Sequence, residues 1–346
     1  VIVPGVGTHY TGTTISAIAE LLNKNGYAVA VMSNSMNWSF AEAAGLSAPG
    51  YAPDDAAKVR EAIRKIVDDV RENTELKEFE LVLAGYSLGG LHTLKIAEME
   101  RKEPVLNVKR YLAVNPPVDI LRSMQRFDAL AELSREWNRR DFFRNADEVM
   151  MKYLPLVMSR RTFAPLLSPE ALEAENKRRS ELEEPLPPLV QPDSRMKLDR
   201  IQAGVLIGLS FRMTMRELMM TLVRDGRVPE GAVKTPYSWF RRTALYAELD
   251  NISGMDYVRR FILPRYPGKS LETLQYESSL YSGADSLKTD DKVRIVHNAD
   301  DPILDGKEIR FLDETFGRRI IWFDCGGHMG NLYLKEFQDI LLEQLK

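Results

Sequence analysis

Cysteine is almost missing from this chain: Cys325 is the single one in 346 residues. That excludes an intrachain disulfide and a cysteine-built metal site, and leaves the cytoplasm and a bacterial periplasm or cell envelope both open as compartments. Histidine is scarce as well, with four in the chain, so imidazole chemistry has few places to sit. No uncharged apolar run approaches the ~20 residues that cross a bilayer; the best candidate, Ile201 to Phe211, falls well short. Nor does one sign of charge dominate. Forty-seven basic against fifty acidic residues leave a net −3, which supplies no field for nucleic acid and no polybasic patch for anionic lipid. Small molecules, or a second copy of the chain, are the partners left, and nothing calls for a cofactor or metal. The chain starts on Val1 rather than Met, directly on a strand pattern, so upstream sequence is expected, a signal peptide among the candidates.

What is present is a regular alternation. Short β-rich runs occur at Val1 to Val3, Tyr27 to Met32, Leu81 to Gly85, Arg110 to Asn115, Val293 to Asn298 and Ile320 to Asp324. Between them Ile15, Ile18, Ala19 and Leu22, and then Val59, Ile63, Ile66, Val67 and Val70, recur at helical spacing. The pattern predicts an α/β fold with a doubly wound, mostly parallel sheet and ligands at the carboxyl ends of its strands. After Pro116-Pro117 the alternation stops, and it resumes only near Val293. A core of residues 1–118 and 291–346 with an inserted helical cap over 119–290 is therefore expected. The cap's centre, Leu167 to Arg200, mixes prolines with dense charge and reads as a solvated connection or hinge. Ten of the fourteen methionines fall in the cap, among them Met213, Met215, Met219 and Met220. They read first as helix packing and second as lining for variable acyl chains. Arg212 and Arg216 read first as solvated and second as a head-group site.

The chemistry centres on Gly85-Tyr86-Ser87-Leu88-Gly89, a G-x-S-x-G that follows an apolar strand and opens a helix. In that context the serine sits on a strained turn that holds its hydroxyl clear of the sheet. Ser87 needs a base to become a nucleophile, and the base needs an acid to fix its tautomer. His328, in Cys325-Gly326-Gly327-His328-Met329-Gly330 after the last strand, is the expected base. His92 reads as a packed, hydrogen-bonded core histidine in the elbow helix, His9 as a loop residue and His297 as structural. Two aspartates follow the penultimate strand in Asn298-Ala299-Asp300-Asp301-Pro302. Asp301 is preferred as the acid, with Asp300 and then Asp119 as alternatives. An oxyanion needs two amide donors, for which Leu88 and Val6, in the glycine-rich Pro4-Gly5-Val6-Gly7, are the candidates.

The order Ser87, Asp301, His328 and the three loops that carry them resemble the α/β-hydrolase superfamily, nearest the YheT-like and abhydrolase-domain serine esterases and lipases. The resemblance covers residues 1–118 and 291–346. It implies hydrolysis of a carboxylic ester, an acyl or lipid-like small molecule, through an acyl-enzyme with no cofactor. The chain departs from that group in having Pro4-Gly5 where a His-Gly is usual, and in lacking the antiparallel strands at the amino end. An acyltransferase or peptidase using the same residues, or a weakly active binding protein on the same fold, are the competing readings.

Overall fold

The computed structural model describes residues 1–137, 142–158, 162–182, 185–193 and 196–346. Seven strands occur among them: β1 (Ile2–Val3), β2 (Leu81–Tyr86), β3 (Val108–Val114), β4 (Thr162–Phe163), β5 (Leu189–Val190), β6 (Val293–Asn298) and β7 (Ile320–Phe323). Five form one parallel sheet in the order β1-β2-β3-β6-β7, and β4 pairs with β5 separately.

Strand parity explains why the sheet is covered on both sides. Ala84 and Tyr86 of β2, Leu112 and Val114 of β3 and Val296 of β6 join one apolar cluster with Ile15, Ile18 and Leu22 of the helix Thr13–Lys24 and Phe337 and Leu341 of the helix Lys335–Gln344. The alternate residues Leu83, Ala113 and Ile295 are equally buried and point the other way. On that face the helix Leu88–Lys102 lies against β2 and β3, and the helix Ala52–Asn73 lies against it in turn, burying Val59, Ile63 and Val67. Central parallel strands buried on both faces need unbroken apolar runs, and Leu81–Tyr86 is one.

The run Tyr27 to Met32 differs from its expected strand. It meets the sheet through one parallel bridge, Ile2 to Val31, with the Ile2 N–H donating to the Ala30 carbonyl at 2.9 Å. β1 is two residues long, so it offers an edge neighbour almost no ladder to extend.

The chain divides into two compact units. One comprises Val1–Arg126 with Arg212–Lys346 and holds the five-stranded sheet; the other is Phe127–Phe211. Residues 212–290, which lie between β3 and β6 in sequence, thus belong to the sheet's unit. Within Phe127–Phe211 the rings of Phe127 and Phe211 stack with centroids 4.8 Å apart. A Cβ on Gly208 would fall 2.2 Å from the Ala131 amide nitrogen. The stretch from Leu167 is more ordered than its composition suggests: Pro169–Ser180 is a helix, with the Ser168 hydroxyl accepting from the Ala171 amide at 3.2 Å. Ser-Pro-Glu places a capping hydroxyl, a first-turn proline and a first-turn carboxylate where a helix start favours each of them. Residues 183–184 and 194–195 of that stretch lie outside the described residues.

At the turn from β2 into the following helix, two glycines are sterically required. A Cβ on Gly85 would lie 2.2 Å from the Gly89 carbonyl oxygen, and one on Gly89 would lie 2.0 Å from the Val3 carbonyl oxygen. Both obstacles are backbone and have no rotamer to move. Gly89→Ala is expected to cost about 3 kcal/mol or more of folding stability, read as a lowered denaturation midpoint. An unchanged midpoint would contradict this packing.

Candidate active site

Ser87 joins β2 to its helix at φ 54, ψ −127, a region L-residues avoid and hold only where the surroundings enforce it. The enforcement is visible. Its N–H donates to the Val114 carbonyl of β3 at 2.8 Å, and its carbonyl accepts from Gly90 and Leu91. The hydroxyl lies 2.8 Å from His328 Nε2, and His328 Nδ1 lies 2.8 Å from Asp301 Oδ2. His328 is 27% exposed while the Asp301 side chain is fully buried. A chain of two hydrogen-bond contacts thus links the Ser87 hydroxyl through His328 to a sequestered carboxylate.

Asp301 is placed by the turn after β6, where its N–H donates to the Asn298 carbonyl at 3.2 Å. Its Oδ1 accepts from the Ile303 amide at 3.0 Å and its Oδ2 from Asn115 Nδ2 at 2.8 Å. Burial pushes its pKa up. The hydrogen bond from His328, the positive charge that His328 and His297 can carry, and the Ile303 amide outweigh that and hold the carboxyl below its usual range.

Asp300 does not reach the imidazole, and instead grips the histidine loop. Its carboxylate accepts from the Gly327 amide at 2.7 Å and the Gly326 amide at 3.2 Å. The same loop is held by Asn298 Nδ2, which donates to the Gly327 carbonyl at 2.8 Å, and by reciprocal amide bonds between Asn298 and Asn331. Gly326 has φ 147 and sits so close to Asn331 that a Cβ would fall 2.6 Å from Asn331 Cγ. Asp119 is elsewhere, accepting from the Arg122 amide and from Gln275.

The other histidines have surroundings of their own, and His92 differs from its expected hydrogen-bonded state in that neither ring nitrogen has a hydrogen-bond partner among the described residues. His92 is buried with Nε2 3.7 Å from Asp55 Oδ2, and burial lowers its pKa to about 3. His297 is buried between the Asn298 and Pro116 carbonyls, at 3.1 and 3.2 Å. His9 pairs with Thr11 in its own loop. Arg216 is engaged by Asp250 and Glu217.

The loop after β1 comes up against Ser87. A Cβ on Gly5 would lie 3.0 Å from Ser87 Cβ. The carbonyls of this loop are occupied: Pro4 by Asn34 Nδ2 at 2.7 Å, Gly5 by the Thr8 amide at 3.1 Å and Gly7 by Asn37 Nδ2 at 2.8 Å. Val6 lies in the middle of that turn. Leu88 is the first residue of its helix, where an N–H has no intrahelical acceptor. Asn34, Asn37, Asn115 and the loop-holding role of Asp300 are absent from the sequence reading. Their partners lie across the fold, and their one local signal is a polar residue at or just past the end of an apolar run.

No protein-family model and no curated protein sequence matches the chain. Among solved structures it is similar to a monoacylglycerol lipase of Paleococcus ferrophilus, at 16% identity over 99% of this chain and 92% of that one, with a TM-score of 0.33. It is similar also to a putative hydrolase of Legionella pneumophila, at 12% identity over 100% and 78%, TM-score 0.42. A thioesterase domain from the curacin biosynthetic pathway matches at 12% identity over 99% and 89%, TM-score 0.34. Likenesses this distant carry no argument about substrate or mechanism.

Proposed function

We propose that the chain is a serine hydrolase of carboxylic esters, with Ser87 as nucleophile, His328 as base and Asp301 as the acid that orients the imidazole. One observation carries the reading: a serine held at φ 54 between a strand and a helix, with its hydroxyl the first member of a buried-end relay of two 2.8 Å contacts. A packed core gains nothing from that combination, whereas a nucleophilic serine needs a base in reach and an acid behind it. Ser87 Oγ attacks the ester carbonyl carbon as His328 Nε2 takes its proton. The amides of Leu88 and Val6 receive the developing oxyanion. The imidazolium returns the proton to the departing alcohol, leaving an acyl group on Ser87. Water then attacks the acyl carbonyl, its proton passes to Nε2, and the acid leaves as Ser87 regains a proton. Asp301 keeps its charge throughout, as its depressed pKa favours.

The stretch from Arg212 toward β6, which belongs to the sheet's unit, is proposed to select the acyl chain as a cap. Thr214 supports this, since it lies against Gly7 in the loop beside Ser87: a Cβ on Gly7 would fall 2.3 Å from Thr214 Cγ2. Rates on p-nitrophenyl esters from acetate to palmitate test the reading. Turnover with a chain-length optimum is expected, and a folded protein inert on the whole series would contradict it.

Asp300 is proposed to position the base. Asp300→Asn turns one acceptor into a donor facing a glycine amide, and is expected to lower kcat about tenfold with KM nearly unchanged. An unchanged kcat would show that the loop holds without it.

A further inference from the structure

The net charge of −3 hides a local arrangement of the opposite kind. Tyr237-Ser238-Trp239-Phe240-Arg241-Arg242 ends in a one-turn 3-10 helix, Trp239–Arg241, that holds two large aromatics in solvent. Trp239 is 74% exposed and Phe240 96%. Arg241 and Arg242 are exposed beside them, while the neighbouring Glu217 and Asp250 are engaged by Arg216 and Glu248 by the Lys234 and Thr235 amides. Leaving two such rings in water is costly unless something covers them.

The tip is a built feature. Glu248 accepts from the Lys234 and Thr235 amides at 2.7 and 2.8 Å, closing the base of the loop, and Leu245 is buried beneath it. The Arg242 guanidinium lies over the rings of Trp239 and Tyr246, at 5.8 and 5.5 Å, and Arg216 lies over the Tyr246 ring at 5.1 Å. Arg216 is two residues from Thr214 on the same helix, and Thr214 touches Gly7 of the loop beside Ser87. The tip is therefore tied by a short run of contacts to the candidate catalytic loop.

We infer that Trp239 and Phe240, flanked by Arg241 and Arg242, form a surface that docks the protein on anionic lipid bilayers. A stable protein partner needs a contact of roughly 1,000 Å² or more, which two rings on one helical turn do not supply. A bilayer interface needs only aromatic anchors and neighbouring cations, and firm binding takes both signals together. The inference deepens the hydrolase reading by naming where the ester is met, and rests on that reading only in the activity arm of its test.

The test is cosedimentation of the whole chain with phosphatidylcholine vesicles with and without phosphatidylglycerol, alongside turnover of a short soluble ester. Wild type is expected to bind the anionic vesicles. Trp239→Ala with Phe240→Ala is expected to weaken that binding by about tenfold or more. Arg241→Gln with Arg242→Gln is expected to weaken it about twenty-fivefold at low salt, about fivefold per charge, and to remove the preference for phosphatidylglycerol. Both variants should turn over the soluble ester at the wild-type rate. Failure of wild type to bind, or binding unaltered by loss of both rings, overturns the inference. Self-association that the aromatic variant abolishes, without vesicle binding, overturns it too and assigns the tip to a second copy. Vesicle binding with no turnover of any p-nitrophenyl ester from acetate to palmitate upholds the surface and sinks the hydrolase reading; turnover with no vesicle binding does the reverse.

Discussion

Ser87→Ala is expected to lower kcat/KM for ester hydrolysis by about ten-thousand-fold or more while leaving the unfolding midpoint within about 0.5 kcal/mol of wild type. The two halves of this result have separate causes. The backbone at the turn is held by bonds that do not involve the hydroxyl: the Ser87 N–H to Val114, and the Gly90 and Leu91 amides to the Ser87 carbonyl. Removing Oγ leaves those intact and takes away only the partner of His328 Nε2, an imidazole that solvent reaches. What is lost is the atom proposed to form the acyl bond, and the remaining groups of the proposed site are expected to accelerate only a direct attack by water. Kinetics with p-nitrophenyl butyrate and a urea titration on one preparation read both halves. A variant within tenfold of wild type would remove Ser87 from the mechanism.

Asp301→Asn is the second large effect, expected at about ten-thousand-fold in kcat. Every neighbour of this carboxylate is a donor: Ile303 N–H at Oδ1, and Asn115 Nδ2 and His328 Nδ1 at Oδ2. An amide fits that cage in neither orientation. With its oxygen toward Ile303, its NH₂ faces Asn115 and turns His328 Nδ1 into an acceptor. The imidazole proton then sits on Nε2 and points at the hydroxyl it should deprotonate. Flipped, the NH₂ faces the Ile303 amide, a buried mismatch costing about 1–3 kcal/mol of stability. A fall in kcat far larger than the stability loss can explain is therefore expected, and a larger one than at Asp300. An Asp301→Asn enzyme within tenfold of wild type, or less impaired than Asp300→Asn, would contradict the assignment. The sign of the pH dependence follows from the same cage. Because the folded pKa of Asp301 is depressed, its contribution to stability is present above the unfolded carboxylate range and is lost as pH falls through the folded value.

The parts of this arrangement legible in sequence are those encoded locally. Leu81–Tyr86 reads as a strand because both its faces are buried and all its residues are apolar or small. Ser87 and His328 stand out because glycine-rich turns follow strands at just those places. Whether Asp300 or Asp301 meets the imidazole is not local: both follow β6, and the turn sends Asp301 inward to Asn115 and Asp300 to the Gly326 and Gly327 amides. Asn115 is linked to Asp301 across 186 residues, and Asn34 and Asn37 each to the loop after β1 across 30. Single polar residues at strand ends carry no mark of such partners. The weakly paired Tyr27 to Met32 run shows the converse: its pattern is that of a strand, and its pairing depends on a neighbour two residues long.

Active-site labelling tests the central claim most directly. The folded protein is treated with a fluorophosphonate and read by intact mass and peptide mapping, with Ser87→Ala and Asp301→Asn beside it. One adduct on Ser87, none on Ser87→Ala and much slower labelling of Asp301→Asn is the predicted result. No adduct on the folded wild-type protein, or an adduct on another residue that persists in Ser87→Ala, would contradict the assignment of Ser87 as the nucleophile.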